Sequence, residues 1–254
     1  MTDSAIAAGR GRQILSKAPH VAVALIGIAA LLLLLIPFGW RFGLWHFRYS
    51  FQMAVWAQYL ALAAAAVAAI ALAFGRATIG AGGRRLMAAL ILVGLLVVYV
   101  PWQWAQLRGP RPPINDITTD STNPPSIVAA LPARSAEQAV TATYGGGAIA
   151  QQQQAAYGDI APAMLALPPA QGFERALAAA KAMSWTILAS DAATGRIEAS
   201  ETTRYFGFTD DIVIRVTPDG TGSRIDIRSH SRQGRGDFGV NAARVRKYLA
   251  AVKG

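Results

Sequence analysis

Residues 195–228 decide the fold, and they read GRIEASETTRYFGFTDDIVIRVTPDGTGSRIDIR. Apolar residues return at every second position, which is the period of a β-strand with one buried face. On that face lie Ile197, Ala199, Ile212, Ile214, Val216, Ile225 and Ile227. The alternate positions carry charges of both signs, at Arg196, Glu198, Arg215, Asp226 and Arg228. The pattern predicts an antiparallel sheet with one dry face and one wet face, and it does not describe an active site.

The segments on either side of this stretch predict a further strand and two helices. A helix is indicated over residues 172–183, where Phe173, Leu177 and Ala180 recur at helical spacing. The first strand is predicted from the alternation of Trp185, Ile187 and Ala189. The last helix has its apolar stripe at Val245, Tyr248, Leu249 and Val252. Arg244 and Lys247 are expected on its solvated side.

These segments predict a small α-β-β-β-β-α domain over residues 172–254. Asp219 and Gly220 mark a hairpin turn between the last two strands. The sheet is expected to be antiparallel and covered on one face by the two helices, which is a helix-grip-like arrangement. The predicted fold class is therefore α+β, with an apolar part placed before the sheet domain.

Three apolar segments in residues 1–104 are long enough to cross about 30 Å of hydrocarbon as helices. They run over residues 21–38, 53–74 and 86–102. A signal peptide is the rival interpretation of the first segment, because basic residues precede it. No cleavage site with small residues ends that run, and two more spans follow, so an uncleaved helix is favoured. The second span places Ala61, Ala65 and Ala69 at the spacing that lets helices pack closely.

Basic residues in the loops predict the orientation of these spans. One side of the bilayer receives Arg10, Arg12, Lys17, Arg76, Arg84 and Arg85. The other side receives Arg41, Arg48, Arg108 and Arg111. Because basic loops tend to stay in the cytoplasm, we expect a multi-pass protein of the bacterial inner membrane. Its N-terminus is then cytoplasmic and its C-terminal domain periplasmic.

Aromatic residues collect on the predicted outer side of the membrane. The loop after the first span reads FGWRFGLWHFRYSF, and the third span ends in YVPWQW. The candidate interface residues are Trp40, Arg41, Trp45, Arg48, Trp102 and Trp104. One interpretation is an anchor at the headgroup level, which suits amphipathic rings. The other is a docking surface for a lipid or a partner helix, with the arginines on anionic headgroups.

Residues 105–171 form a Pro/Asx-rich arm and an Ala/Gln-rich connecting segment. Prolines exclude a helix at its start, and the Asx and Ser/Thr side chains suit turns. Asp116 and Asp120 are candidates for acid–base or cation chemistry, with turn capping as the alternative. Ile114 and Ile117 are expected to pack this arm against the sheet domain.

The connecting segment begins at about residue 129 and contains a run of glutamines between glycine and proline breakers. A short helix is predicted there. Tyr157 and Asp159 follow it and are candidate polar contacts, with ordinary loop anchoring as the alternative.

The charge balance and the absence of cysteine exclude several classes of function. Residues 1–104 carry eight Lys and Arg against one Asp, a net +7, so the remainder holds only +3 of the chain's +10. That remainder has no basic stripe with interleaved aromatics, so nucleic acid is not an expected partner. With no cysteine there is no thiol chemistry, no disulfide and no cysteine zinc site. We expect no metal and no cofactor.

The loop SHSRQGRGDFG, residues 229–239, holds the remaining candidates for chemistry. A set of serine, His230 and Asp237 is conceivable, but no nucleophile-elbow signature accompanies it, and a histidine at a strand end is usually on the surface. Arg232 and Arg235 near the last helix would suit an anionic ligand, whereas the alternative is pairing with nearby aspartates. Asp237 or Asn241 is expected to cap the last helix.

Four segments of the chain resemble the bacterial family catalogued as domain of unknown function 1499. They are PPINDITTDSTNPP, YGDI, GRIEASETTRYFGFTDDIVIRV and GSRIDIRSHSRQGRGDFGVNAARVRKYLA, which together extend from about residue 112 to residue 250. The N-terminal spans are similar to those of membrane-anchored proteobacterial members. The resemblance implies no activity, since none is assigned to the family. At the level of fold alone, the domain is similar to the helix-grip domains of BamC-type outer-membrane assembly lipoproteins.

Three functions follow from these observations, in order of preference. The first is a non-enzymatic, membrane-anchored periplasmic interaction module, an accessory factor in envelope or membrane-complex assembly with a protein partner. The second is a periplasmic carrier of lipid or another hydrophobic ligand, held between sheet and helices. The third is a hydrolase of unknown substrate.

Overall fold

The computed structural model describes residues 3–108 and 111–254, without the side chains of residues 3–12, 14, 100, 101 and 103–108. The chain forms two compact units, one before and one after residues 109–110. The first unit contains α1 (Asp3–Arg41), α2 (Phe47–Phe74) and α3 (Ala81–Arg108). The second contains β1 (Asp116–Thr118), α4 (Leu131–Ala136), α5 (Gly147–Tyr157), β2 (Ala163–Leu165), α6 (Pro169–Ala182), β3 (Thr186–Asp191), β4 (Arg196–Thr202), β5 (Thr209–Asp219), β6 (Gly222–Ser231) and α7 (Val240–Lys253).

Each helix of the first unit contains a segment that is long and apolar enough to cross a membrane. These segments are Leu15–Arg41, Phe47–Phe74 and Ala81–Tyr99. The three predicted helices are thereby confirmed in number and approximate position, as helices whose length and composition would allow them to cross a membrane. Polar and aromatic residues at the ends continue the helices beyond the apolar runs, so their bounds are wider than the hydropathy predicts.

The helices α2 and α3 cross closely at Gly94. A Cβ atom on Gly94 would lie 2.6 Å from the carbonyl oxygen of Ala61 and 2.9 Å from the Cβ of Ala65. Both alanines are buried, so the small residues predicted to pack helices do so inside this unit. Ala69, the third residue of that pattern, is exposed.

The second unit is built on an antiparallel sheet with the strand order β1-β6-β5-β4-β3, and β2 also pairs with β6. The strands predicted from the sequence are β3 to β6. The hairpin between β5 and β6 turns at Gly220, with Asp219 paired to Gly222. The strands β1 and β2 were not predicted, because three residues are too short to display an alternating pattern.

The main hydrophobic core lies between one face of the sheet and the helices α6 and α7. Ile197 of β4 and the alternating isoleucines of β5 and β6 form the sheet side of this core, and Phe173 of α6 packs on the helix side. The Trp185 and Tyr248 rings stack with their centroids 5.3 Å apart, and the Tyr248 hydroxyl donates to the Ala176 carbonyl at 3.0 Å. The predicted pair of helices over one face is confirmed, and so is the burial of Ile114 and Ile117.

The second face of the sheet is covered, and the prediction of a wet face there is wrong. Residues 119–146, called the covering segment below, lie across it and include α4. Ile127, Ala130 and the buried sheet residue Val213 form a second small hydrophobic cluster under this segment. The charged residues of that face, Glu198 and Asp226 among them, are therefore buried beneath a loop that has no periodic pattern of its own.

Two smaller expectations for the second unit also fail. Arg244 of α7 is buried, because Asp210 at the start of β5 gives its guanidinium a partner inside the protein. Ala189 is exposed, because the register of β3 on β4 shifts between Ile187 and Ala189 and breaks the alternation.

Candidate functional site

The densest group of ionisable side chains lies between the sheet and the covering segment, and we call it the charged layer. Its arginines are Arg134, Arg196, Arg215, Arg224, Arg228 and Arg232. Its carboxylates are Asp116, Asp120, Glu137, Glu198, Asp211 and Asp226. Within the part of the chain that the structure describes, the six charges of each sign in this layer balance.

Asp116 and Arg228 form a buried ion pair in this layer. Arg228 donates from Nε and Nη2 to the two Asp116 oxygens, each at 2.8 Å. The same guanidinium donates to the carbonyls of Pro125 and Ala142, which lie in two different parts of the covering segment. Burial is the main cause that raises the pKa of Asp116, and Arg228 opposes it. One arginine thus connects β6, β1 and the covering segment.

His230 lies beside this pair, and its side chain is 4% exposed. Its Nδ1 is 3.7 Å from Asp116 Oδ2, beyond hydrogen-bond range, and it has no partner among the described residues. Burial, with Arg134 and Arg228 nearby, lowers the pKa of His230 to about 2, so the ring is neutral. The expectation of a surface histidine is therefore wrong.

Tyr144 of the covering segment lies over the same group. The Arg228 guanidinium carbon is 5.6 Å from the centre of the Tyr144 ring. Burial raises the pKa of Tyr144 to about 12, so the hydroxyl stays protonated at neutral pH. That hydroxyl is buried and lacks a partner within the described structure.

Asp211 of β5 is held between two arginines. Arg134 of α4 donates to Asp211 Oδ2 at 2.8 Å, and Arg232 donates from Nη2 to Oδ1 at 2.7 Å. Arg232 also donates to Glu137 at 2.5 Å. The guanidinium proposed for an external anion therefore has internal carboxylate partners, as the alternative interpretation expected. Arg235 is exposed on the loop that follows.

Asp120 is a turn residue that also pairs with the sheet. Its Oδ1 accepts from the amides of Thr122 and Asn123, which confirms turn capping. Its Oδ2 accepts from Arg215 at 2.9 Å and lies 3.3 Å from Arg224. Desolvation by burial is the largest single contribution and would raise the pKa of Asp120. The hydrogen bonds and charges of these partners together exceed it, so the pKa is lowered. Asp116 differs, because it lies in a strand and caps no turn.

Glu198 of β4 binds the backbone of the covering segment. Its carboxylate accepts from the amides of Val128, Ala129 and Ala130, at distances between 2.8 and 3.3 Å. Arg196 donates to the same carboxylate. These amides precede α4, so a buried negative charge stabilises the start of that helix. Glu198 therefore holds the covering segment through its backbone, in addition to the ion pairs that side chains of the segment make with the sheet.

A second polar group lies on the core face, where α7 begins. Asp237 accepts from the amides of Gly239 at 2.7 Å and Asn241 at 2.6 Å, so its carboxylate binds the backbone at the start of α7, although the N-cap residue of that helix is Gly239. Burial is the largest cause that raises the pKa of Asp237. Asn241 is fully buried, accepts from Ser229 at 2.6 Å and donates to the carbonyl of Asn115 at 3.0 Å.

His230 and Asp237 do not come together. Ser229 and His230 are neighbours in β6, so their side chains point to opposite faces of the sheet. Ser229 contacts Asn241 of α7, whereas His230 faces the covering segment. Asp237 is occupied at the start of α7. The arrangement that a hydrolase would need from these residues is absent within the described structure.

Tyr157 and Asp159 contact one arginine of α7. Arg246 donates to both Asp159 oxygens, at 2.6 and 2.5 Å, and its guanidinium lies 5.4 Å from the Tyr157 ring centre. Tyr157 itself is buried against the main core. These contacts attach the end of α5 to α7, which agrees with ordinary anchoring.

The aromatic loop of the first unit is folded on itself. Trp45 lies against Gly39 and donates from Nε1 to Ser50 Oγ at 3.1 Å, and Ser50 donates to the carbonyl of Ile36. Trp40 packs edge-on against Phe47 with ring centres 5.5 Å apart. These contacts hold the turn between α1 and α2.

The remaining interface candidates are distributed differently. Arg41, Arg48 and Trp102 are exposed. The side chain of Trp104 lies outside the described residues. A role for these residues at the membrane interface therefore stays a prediction.

Several residues of the charged layer were not singled out from the sequence. Arg134 and Tyr144 lie in a segment without periodicity, and Glu198 was assigned to a wet face. The charges of both signs on alternate strand positions fit a solvated face equally well, so they gave no signal that this face is covered.

The fold and the charged layer define an α+β domain attached to three helices of membrane-spanning length. A family model described as a protein of unknown function, DUF1499, matches residues 116–252. The chain belongs to this family. No curated protein matches it. The matched residues begin at Asp116 of the charged layer and end within α7, so they include the whole sheet.

Proposed function

We propose that this protein is a non-enzymatic, membrane-anchored interaction module of the bacterial cell envelope. Its second unit is periplasmic, and it serves as an accessory factor in the assembly of a membrane or envelope complex. The observation that carries the proposal is the internal use of the ionisable groups. Asp116, Asp120, Asp211 and Glu198 all bind arginines or backbone amides within the domain. Ionisable groups that are bound in this way stabilise the domain, so recognition of a partner is left to residues on its surface.

The surface element best suited to a protein partner is the edge strand β3. Among the described strands it pairs only with β4, and five of its six residues are exposed. Its sequence, TILASD, contains neither proline nor lysine, two residues that usually protect an edge, and its irregularity on β4 lies at the register shift between Ile187 and Ala189. An extended segment of another envelope protein would add to this edge through backbone hydrogen bonds. Leu188, which is exposed on β3, would contact that segment.

The carrier function receives less support. Between sheet and helices, the space that a ligand would need is occupied by the stacked rings of Trp185 and Tyr248, with Phe173 beside them. Large buried rings at interior density leave no room for an acyl chain without rearrangement. The hydrolase function receives the least support, because His230 is buried and neutral and does not contact Asp237.

Photo-cross-linking in cells tests the proposal. A benzophenone amino acid replaces Leu188 in one variant and Leu131, an exposed leucine of α4, in the matched control. We expect a discrete cross-linked protein from position 188 and none from position 131. Equal cross-linking at both positions, or cross-links to lipid alone, would contradict the proposed strand edge.

A further inference from the structure

The loop between β4 and β5, residues 203–208, presents aromatic rings outside the core. It reads Thr-Arg-Tyr-Phe-Gly-Phe, and the Tyr205 side chain is 51% exposed. Phe206 and Phe208 are half-buried and stack with ring centres 5.4 Å apart. Tyr205 meets Phe206 edge-on at 5.0 Å. The aromatic surface is therefore continuous across the tip of the hairpin.

Backbone and side-chain hydrogen bonds close this loop. The Thr203 amide donates to the Phe208 carbonyl at 2.8 Å, and the Phe208 amide donates to Thr203 Oγ1 at 2.9 Å. The Gly207 amide donates to the Thr203 carbonyl at 2.9 Å, with φ of +73° at Gly207, which glycine adopts easily. These hydrogen bonds therefore fix the turn that carries the aromatic rings.

The composition of this loop matches the bilayer interface. Tyrosine favours the headgroup region, where one part of its ring is wet and the other apolar, and phenylalanine and arginine are typical of elements that lie in the bilayer interface. The chain repeats this composition beside its first membrane helix, where Arg48 and Tyr49 precede Phe51 and Tyr49 is also exposed. In the loop, Arg204 precedes Tyr205 in the same way.

We propose that the β4–β5 loop docks on the surface of a lipid bilayer, with Tyr205 entering the headgroup region and Arg204 facing anionic headgroups. The inference goes beyond the proposed partner binding and does not depend on it, since β3 and this loop are separate surfaces. Because the same chain carries three helices of membrane-spanning length, a bilayer is always at high effective concentration. A weak affinity of the loop is then sufficient for docking.

The absence of cysteine makes a spin-label test clean, because a single introduced cysteine is the only one to react. Thr202→Cys places the label on the last residue of β4 and leaves the aromatic loop unchanged. Thr221→Cys is the control, in the exposed turn at the opposite end of β5. The full-length protein is reconstituted in vesicles of phosphatidylcholine and phosphatidylglycerol. Collision of the label with oxygen and with a polar nickel chelate is then compared.

We expect the label at position 202 to favour oxygen over the chelate and the label at position 221 to favour the chelate. Adding Tyr205→Ser to the first variant removes an exposed ring, so the fold is retained and the label at 202 becomes as aqueous as the control. An aqueous profile at 202 with Tyr205 intact overturns the proposal. So does an interfacial profile that survives Tyr205→Ser, because another element then holds position 202 at the bilayer.

Discussion

Arg228 and Asp116 form an ion pair with two hydrogen bonds of 2.8 Å each. The pair lies beneath the covering segment, on the sheet face that the sequence pattern placed in solvent. The Asp116 and Arg228 side chains are 6% and 2% exposed. Taking both charges out of water is costly, and the pair is tolerated because the remaining donors of Arg228 bind carbonyls of the covering segment. The pair therefore ties the position of the covering segment to the register of β1 on β6.

Asp116→Asn should destabilise the second unit strongly. It leaves the Arg228 guanidinium buried without its counter-charge, which costs about 3–5 kcal/mol. Hydrogen exchange of the full-length protein in detergent should show lost protection in β1, β6 and the covering segment. Asp219→Asn, in the exposed turn after β5, is the control and should leave exchange unchanged. Equal protection in both variants would mean that the pair does not hold the segment.

Glu198→Gln should loosen the start of α4. The carboxylate accepts from three consecutive amides, and hydrogen bonds to a charged group contribute about 1.5–3 kcal/mol. Exchange of the amides at Val128, Ala129 and Ala130 should accelerate by roughly 10- to 100-fold, since about 1.4 kcal/mol is a factor of ten. Glu174→Gln changes an exposed glutamate of α6 and is expected to leave these amides unaffected. An unchanged exchange rate in Glu198→Gln would show that the carboxylate does not hold these amides.

His230 should make the second unit acid-sensitive. Its pKa is about 2 in the folded protein against 6.5 in the unfolded chain, so the unfolded state binds more protons between these values. The free energy of unfolding contributed by this residue is full above pH 6.5 and falls as the pH is lowered, by at most about 1.4 kcal/mol per unit. Denaturant unfolding monitored from above pH 6.5 to about pH 5 measures this slope.

His230→Asn is the comparison that isolates the histidine. The variant keeps a polar side chain of similar reach but does not titrate, and the carboxylates are common to both proteins. We expect a flatter pH dependence in the variant over the same window. Parallel curves for the two proteins would show that His230 is accessible to protons in the folded state.

Gly94→Ala should separate α2 from α3. The added Cβ would meet the Ala61 carbonyl oxygen at 2.6 Å, and overpacking of this kind costs about 1–3 kcal/mol. Gly27→Ala is the matched control in α1, because nothing lies within 4 Å of its added Cβ and alanine is the better helix former. Thermal loss of helical circular dichroism in detergent should occur at lower temperature in Gly94→Ala alone. The same midpoint in both variants would contradict the close crossing.

Much of this fold was predictable, because its long strands β5 and β6 alternate clearly and its first three helices contain long apolar runs. Ile212 and Ile214 in β5 and Tyr248 in α7 follow the period of their elements and are buried as expected. The existence of a helix over the run of glutamines also followed, since glycine and proline bound it. For these residues the periodic pattern of the sequence agrees with the burial that the structure shows.

The covering segment was not predictable by the same means. It is held by side chains of the sheet, such as Glu198 and Arg228, that bind its backbone, and backbone groups carry no sequence signal. Its own contribution is a few residues far apart, among them Ile127 and Tyr144. Because the predicted fold lacks this segment, the charged strand face is assigned to water and His230 to the surface. A single missing layer thus explains most of the errors.

Native mass spectrometry of the full-length protein, extracted gently from its own membrane, tests whether β3 binds a protein partner. Wild type is compared with Leu188→Lys, which places a charge on the β3 edge, and with Leu131→Lys, the same change on α4. We expect one protein companion in fixed ratio, kept by wild type and Leu131→Lys and lost by Leu188→Lys. A bare protein in all three, a companion that survives Leu188→Lys, or a lipid-sized adduct alone would contradict this expectation.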